Sequence, residues 1–261
     1  MVRIDAELLS NRRVADGYFE LRFRWPAGAG KPVPGQFLTI QARDGSDPLL
    51  RRPFAFATHD GAREEASLVI QERGTATGML AALEAGAQLD LLGPLGAGFD
   101  PETLVADARR GETPVLVAGG IGVGPMLFLR AALDAAGVES RFVLGARSGA
   151  LVPEILLPRG PGVEVRTDDG SFGTKGTAAD AVAALAADGP VALCACGPKP
   201  MMAALDRIAA ERGWKYRAAV EEWMACGVGA CMGCAVPLKG GGYARACADG
   251  PVLDGRAVKW D

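Results

Sequence analysis

The chain has 261 residues, 49% of them apolar, with 28 lysines and arginines against 31 acids and a net charge of −3. That balance offers no basic excess for nucleic acid, and the apolar content excludes global disorder and suits two domains with room for a small third. No apolar run approaches the roughly 18 to 20 residues needed to cross a bilayer, and the opening MVRIDAELLSNRR puts acids and arginines where a signal peptide needs an apolar stretch, so a cytoplasmic protein is expected.

Up to about residue 98 the chain reads as short strands punctuated by Gly and Pro: Ile4 to Leu9, Tyr18 to Trp25, Gln36 to Gln41, Ser67 to Gln71 and Leu89 to Leu92. In Tyr18 to Arg24, Phe19, Leu21 and Phe23 alternate with Glu20, Arg22 and Arg24, as a half-buried antiparallel strand requires. A small β-barrel is predicted, interrupted by one helix at about Ala76 to Glu84 that starts from Gly74-Thr75 and stops before Gly86. After Pro101 the pattern becomes apolar strand, glycine turn, amphipathic helix. Val115 to Ala118, Arg141 to Gly145, Val163 to Arg166 and Val191 to Cys196 read as strands, with helices at Met126 to Ala136, Ala178 to Ala187 and Pro200 to Arg212. Such alternation predicts a parallel, doubly wound sheet. From about Ala219 the period disappears and Cys and Gly dominate, which predicts a small domain organised by a cofactor. The expected division is 1–100, 101–218 and 219–261.

The single histidine, His59, removes most imidazole metal sites, and no serine occupies a nucleophile-elbow sequence, so hydrolytic chemistry is disfavoured. All chemistry-bearing thiols fall late: Cys194, Cys196, Cys226, Cys231, Cys234 and Cys247. The spacing of four and two residues in Cys226-GVGA-Cys231-MG-Cys234, with Cys247 following after twelve intervening residues, is that of a plant-type [2Fe-2S] centre with a remote fourth ligand. Zinc would want a second paired knuckle, which is missing. Gly227, Gly229 and Gly233 let backbone N–H groups approach sulfur, and the absence of charged side chains from Cys226 to Val236 predicts a loop shielded from water. Cys194 reads as a packing residue, whereas Cys196 ends a strand before Gly197-Pro198, at the carboxyl edge where open α/β sheets bind ligands.

Gly119-Gly120-Ile121-Gly122-Val123-Gly124-Pro125 joins a buried strand to a helix, a context that suits a pyrophosphate or a tight structural turn. It departs from GxGxxG, because Pro125 takes the last position and Glu139 precedes the second strand. Arg51-Arg52-Pro53-Phe54-Ala55-Phe56 offers guanidinium groups beside aromatics, fit for a phosphate and a planar ring or for an edge strand with surface arginines. Gly74-Thr75-Ala76-Thr77-Gly78 opens a helix with amides and hydroxyls, as a phosphate site or an ordinary cap would.

In that order the RRPF, GTATG, GPLGAGF, GGIGVGP, CGPKPMM and CGVGACMGC segments resemble the ferredoxin reductase superfamily, and most closely its dihydroorotate dehydrogenase B electron-transfer subunits, over essentially the whole chain. The resemblance implies an FAD-binding antiparallel barrel, a parallel-sheet NAD domain and a C-terminal [2Fe-2S] domain. It implies that Arg52 binds the FAD phosphates, that Pro53, Phe54, Ala55 and Phe56 line the flavin, and that Gly74, Thr75 and Thr77 complete that site. Gly120, Gly122, Gly124, Pro125, Gly197 and Pro198 would hold NAD, with Cys196 facing the nicotinamide, and Cys226, Cys231, Cys234 and Cys247 would ligate iron. Ala55 stands where relatives often carry Ser or Thr. The implied activity is that of an oxidoreductase subunit in pyrimidine biosynthesis, taking electrons from an FMN-containing dihydroorotate dehydrogenase catalytic subunit in a heterotetramer and delivering them to NAD+. The alternative reading keeps the cofactors and changes the partner, to that of a sulfide dehydrogenase or a bifurcating NAD(P)H-ferredoxin oxidoreductase.

Overall fold

The computed structural model describes residues 1–42, 45, 47–185 and 189–260. Six strands, β1 (Val2–Ala15), β2 (Tyr18–Arg24), β3 (Phe37–Gln41), β4 (Arg52–Asp60), β5 (Glu65–Gln71) and β6 (Gln88–Leu95), close an antiparallel barrel in the order β1-β2-β5-β4-β3-β6. The alternation in β2 directs Phe19, Leu21 and Phe23 into the barrel core, beside Leu8, Trp25, Leu38 and Phe56. Strand β4 carries no clean alternation and begins with a proline in second place, which demotes a segment in sequence reading; it is nonetheless paired on both sides, with β3 and β5. Helix α1 (Thr75–Ala81) spans the barrel's β5–β6 connection and is shorter than its sequence suggests.

Helix α2 (Pro101–Arg109) follows, and its start was there to be read: Asp100 accepts the N–H groups of Glu102 and Thr103, and Pro101 takes the first turn, where its missing N–H costs nothing. The remaining elements are β7 (Thr113–Gly119), α3 (Val123–Ala135), β8 (Arg141–Ala146), β9 (Val163–Thr167), β10 (Thr174–Lys175), α4 (Ala178–Ala183), β11 (Val191–Cys196), α5 (Lys199–Arg212), β12 (Lys215–Ala219), β13 (Ala235–Pro237), β14 (Tyr243–Arg245) and β15 (Val252–Asp254). Residues 186 and 187, expected to extend α4, lie outside the described residues.

The second sheet runs β10-β9-β8-β7-β11-β12-β15. All its pairs are parallel except β12 with β15. Strands β7, β8 and β9 build outward in one direction, and the chain then returns to place β11 on the other side of β7. That reversal opens a crevice at the carboxyl ends of β7 and β11, where open sheets bind ligands. The cysteine-rich segment supplies the β13–β14 hairpin and, through β15, the sheet's last strand. One apolar core joins Phe37 and Leu95 of the barrel, Val117 and Leu193 of the sheet, and Cys234 and Cys247. Among the described residues no helix is long and apolar enough to cross a membrane.

Candidate cluster and nucleotide sites

The four spaced cysteines come together as two pairs. Cys231 is close enough to Cys226 to help lower its pKa, and the sulfurs of Cys234 and Cys247 are 3.2 Å apart. Among the described residues no three metal-binding side chains converge on one point. Two pairs are what a binuclear centre asks for, since each tetrahedral iron bridged by two sulfides leaves two positions for thiolates. Backbone donors already point at the sulfurs: Val228 N–H at Cys226 (3.5 Å), Gly229 N–H at Cys247 (3.1 Å), Gly233 N–H at Cys231 (3.4 Å) and Cys247 N–H at Cys234 (3.4 Å). The Val228 N–H, with help from Cys231 and the Cys231 and Ala230 amides, holds the Cys226 thiol down to about 6, whereas burial, with Cys234 beside it, pushes Cys247 up to about 11. The residues present therefore fit a [2Fe-2S] group.

Shielding differs between the pairs. Cys234 and Cys247 are buried, but Cys231 is exposed and Cys226 half-buried, and Val228 and Met232 are also exposed. The expected water-shielded loop is thus corrected: apolar side chains alone do not cover a loop that lies at the surface. Nor is the surroundings' charge absent, because Arg245, outside the loop, donates to the Gly229 carbonyl at 2.9 Å. The loop also rests on the barrel, where a Cβ on Gly227 would stand 3.2 Å from Thr39 Cγ2.

On the barrel, the two arginines of RRPF separate. Arg51 donates to Thr39 Oγ1 (3.0 Å), the Thr39 carbonyl (3.2 Å), the Asp90 carbonyl (2.6 Å) and Asp90 Oδ1 (3.0 Å), tying β3 to β6. Arg52, half-buried at the head of β4, has the Leu50 carbonyl as partner and can turn to a ligand. Pro53, Phe54 and Ala55 form a half-buried strip beside it. The ring of Phe56 does not belong to that strip: it is fully buried, edge-on to Trp25 at 5.1 Å. The Thr77 hydroxyl accepts the N–H groups of Arg73 (2.8 Å) and Gly74 (3.1 Å) and donates back to the Gly74 carbonyl, capping its own helix. Gly74 and Thr75 remain exposed.

At the sheet crevice Gly122 packs under β11, where a Cβ would lie 2.1 Å from the Cys196 carbonyl oxygen. Gly120 is half-exposed at the loop's apex; Gly124 and Pro125 are buried, with Gly124 facing Ala57 and Val69 of the barrel. These last two join the barrel to α3. Gly197 is buried against Gly119, and Pro198 is exposed at the α5 start. Cys196 is buried, with its sulfur 3.9 Å from Glu221 Oε1, and burial together with that carboxylate keeps its thiol protonated well above the ordinary range. Cys194 is pushed up to about 12 by burial, as an inert packing residue should be.

Sequence reading missed Glu221, Tyr18, Arg73 and Arg147. Glu221 follows β12, a strand whose pattern is too short and mixed to declare itself, and so arrives at the crevice beside Cys196. Its side chain borders a cleft of about 120 Å³ shared with Gly197, Pro198, Met202 and Trp260. Protein on the cleft's walls strips enough water to raise its carboxyl pKa, against the pull of Arg73. Tyr18 comes from the barrel, with its hydroxyl 3.3 Å from where a Gly120 Cβ would stand; burial raises its pKa, and Arg73, Arg147 and Glu221 all act on it. Residues from both sheets thus converge on one crevice.

The model describing the iron-sulfur cluster binding domain of dihydroorotate dehydrogenase B matches residues 221–259. The dihydroorotate dehydrogenase B (NAD(+)) electron transfer subunit of Shouchella clausii is 40% identical over 250 residues, 94% of each chain. That of Caldanaerobacter subterraneus subsp. tengcongensis is 35% identical over 254 residues, 96% of each. Among solved structures, an NADH-dependent reduced ferredoxin-NADP oxidoreductase studied for flavin-based electron bifurcation is 26% identical, with a TM-score of 0.79 over 98% of this chain and 90% of that one.

Proposed function

The chain belongs to the family of dihydroorotate dehydrogenase B electron transfer subunits, and on that premise we propose that it carries electrons from an FMN-containing, dihydroorotate-oxidising subunit through a [2Fe-2S] centre and FAD to NAD+, in pyrimidine biosynthesis. FAD supplies the adaptor chemistry, exchanging a hydride's two electrons with nicotinamide and single electrons with an iron-sulfur centre. The observation that carries the reading is the packing of the paired thiols against β3, in one body with the crevice of Cys196 and Glu221.

Each set of residues has a task. Cys226 with Cys231, and Cys234 with Cys247, would each hold one iron, with the Val228, Gly229, Gly233 and Cys247 amides offsetting the charge on sulfur. Arg52 and the strip Pro53 to Ala55 would hold FAD phosphate and ring, with Gly74 and Thr75 closing the site. Gly120, Gly122, Gly197 and Pro198 shape the NAD crevice. Cys196, kept neutral, presents a polarizable surface at its floor, and Glu221 fixes the sulfur's position from the side. We assign 1–100 to the flavin barrel, 101–218 to the nucleotide sheet and 219–261 to the cluster segment, and place the protein in the cytoplasm within a heterotetramer. Six free thiols suit a reducing compartment.

The test is reconstitution. Co-expression with a cognate FMN subunit should give a complex that converts dihydroorotate and NAD+ to orotate and NADH, while this chain alone oxidises NADH with artificial acceptors and leaves dihydroorotate untouched. The likeness to the bifurcating oxidoreductase supports a second reading, a small subunit serving a sulfide- or ferredoxin-linked partner. A chain with intact cofactors that fails with the FMN subunit and works with such a partner would establish the second reading.

A further inference from the structure

We propose that Arg245 and Asp249 form a fixed ion pair that locks the cluster loop onto the Cys247 turn and sets the reduction potential of the [2Fe-2S] centre; this inference rests on the cluster reading above. Arg245 ends β14, and its backbone nitrogen and all three guanidinium nitrogens donate. Its backbone N–H and Nε donate to Asp249 Oδ2 at 2.8 and 3.0 Å, Nη2 donates to Asp249 Oδ1 at 2.9 Å, and Nη1 donates to the Gly229 carbonyl at 2.9 Å. The forked contact orients the guanidinium plane, which a lysine ammonium could not do.

The pair closes a tight turn around the remote ligand. The N–H groups of Ala248, Asp249 and Gly250 all return to the Arg245 carbonyl, at 3.1, 2.9 and 3.1 Å, so Cys247 is held inside a loop whose ends are joined through the ion pair. Gly229 is the link to the other three ligands. Its carbonyl accepts from Arg245 while its own N–H donates to the Cys247 sulfur at 3.1 Å. A side chain there would collide, with a Cβ 2.9 Å from that of Ala248 and 3.3 Å from Arg245 Nη1, and the backbone stands at φ +82°. Gly229 thus serves as a clasp between the Cys226–Cys234 loop and the Cys247 turn, and Arg245 holds it shut.

The same geometry has an electrostatic consequence. Four thiolates and two sulfides already make the centre negative, and reduction adds one more charge. The guanidinium is the pole of the ion pair that touches the cluster loop, linked through Gly229 to the Cys247 sulfur, whereas the Asp249 carboxylate contacts Arg245 alone among its hydrogen-bond partners. The cation therefore eases reduction, and the anion, which has no hydrogen bond to the cluster loop, opposes it. A purely structural clasp would not distinguish the two signs.

The experiment uses the full-length protein with its FAD, titrated anaerobically and followed by the electron paramagnetic resonance of the reduced cluster, with iron and acid-labile sulfide measured on each sample. Arg245→Gln should move the midpoint negative and Asp249→Asn should move it positive, with the double variant between them; each tenfold change in the reduction equilibrium reads as 59 mV for a one-electron couple. Arg245→Lys should keep a potential near wild type, because the charge stays, yet lose iron to a chelator faster, because the fork is gone. Should Arg245→Gln fail to assemble, Arg245→Lys and Asp249→Asn still decide the matter. Wild-type potentials in loaded variants, or shifts of the same sign for Arg245→Gln and Asp249→Asn, overturn the lock while leaving the cluster intact. Wild-type protein without iron and sulfide overturns the cluster reading itself.

Discussion

The crevice between β7 and β11 depends on one missing methyl group, and Gly122→Ala tests it directly. The backbone at Gly122 sits at φ −60°, which alanine adopts freely, so conformational strain contributes nothing and the effect is steric alone. The new Cβ would stand 2.1 Å from the Cys196 oxygen, 2.5 Å from its carbonyl carbon and 3.0 Å from the Gly197 nitrogen. All three are backbone atoms in a buried parallel pair, so no side chain can rotate away and the loop must retreat from β11. Overpacking of this kind costs about 1–3 kcal/mol and here belongs at the upper end. At roughly 2–4 °C per kcal/mol for a chain of this size, the melting temperature should fall by about 5–10 °C. The displaced loop is the one proposed to hold NAD, so NADH should also reduce the flavin more slowly, while FAD, iron and sulfide contents stay at wild-type levels. Differential scanning calorimetry and stopped-flow flavin reduction measure the two effects. A Gly122→Ala protein with unchanged melting and unchanged reduction by NADH would refute the close packing and the location of the NAD site together.

The neighbouring arginines should part company on truncation: Arg52→Ala weakens FAD by about 1.5–3 kcal/mol, the worth of a charge-assisted phosphate contact, whereas Arg51→Ala, which strips the β3–β6 tie, lowers thermal stability first; equilibrium flavin release and thermal melts separate them. Glu221 is exposed at the cleft's edge, yet desolvation by the protein around it raises its carboxyl pKa, so the folded state holds that proton more tightly than the unfolded chain does. The contribution to stability is then fully present in acid, below the ordinary carboxylate range, and is lost as pH rises through the raised value. Glu221→Gln, which stays neutral, should flatten that part of the stability curve and remove the corresponding limb from the pH profile of flavin reduction; an unaltered profile would return Glu221 to a wall of the cleft. Cys226→Ser should abolish the cluster and spare most of the FAD, and Cys194→Ser should do neither, as metal and flavin analysis can show.

What the sequence made legible follows from how local each signal is. The cysteine spacing is a local property, whereas the approach of Cys234 to Cys247, thirteen positions apart, is set by the fold. Long apolar strands such as β7 and β11 announce themselves because both faces are buried. Strand β4 was legible only as one of two readings, and as an edge strand, because Pro53 and a mixed pattern obscured it; Phe56 turns inward while Pro53 to Ala55 lie half-open. The two arginines of RRPF are chemically identical in sequence, and only the tertiary position of Asp90, 39 residues from Arg51, tells them apart. Glu221 was missed for a related reason: its meaning comes from Cys196, 25 residues away and on the neighbouring strand. Gly124 and Pro125 carry a nucleotide-loop pattern, yet the barrel's Ala57 and Val69 reach them first.

The cluster segment is not a module hung from a linker. Strand β15 extends the nucleotide sheet by pairing with β12, and the residues just before it bind the barrel, with Ala97 N–H donating to the Gly250 carbonyl at 2.5 Å and Val252 N–H to the Ala97 carbonyl at 3.1 Å. Lys239 and Arg256 add a second attachment, both reaching Asp206 on α5, at 2.6 and 3.0 Å. To move the thiols relative to the flavin barrel, the chain would have to break strand pairing, an ion-pair network and an apolar core that Phe37, Leu95, Cys234 and Cys247 share. Opening such a buried, hydrogen-bonded unit draws on the high end of local unfolding free energies. The spacing between cluster ligands and barrel is therefore built into the folded state, and transfer between them needs no domain motion. Only the outer pair remains approachable: Cys231 is exposed and Cys226 half-buried, while Cys234 and Cys247 face the core. A redox partner that docks on this chain has to present its own centre to that open side, since the closed side already belongs to the flavin barrel and the sheet.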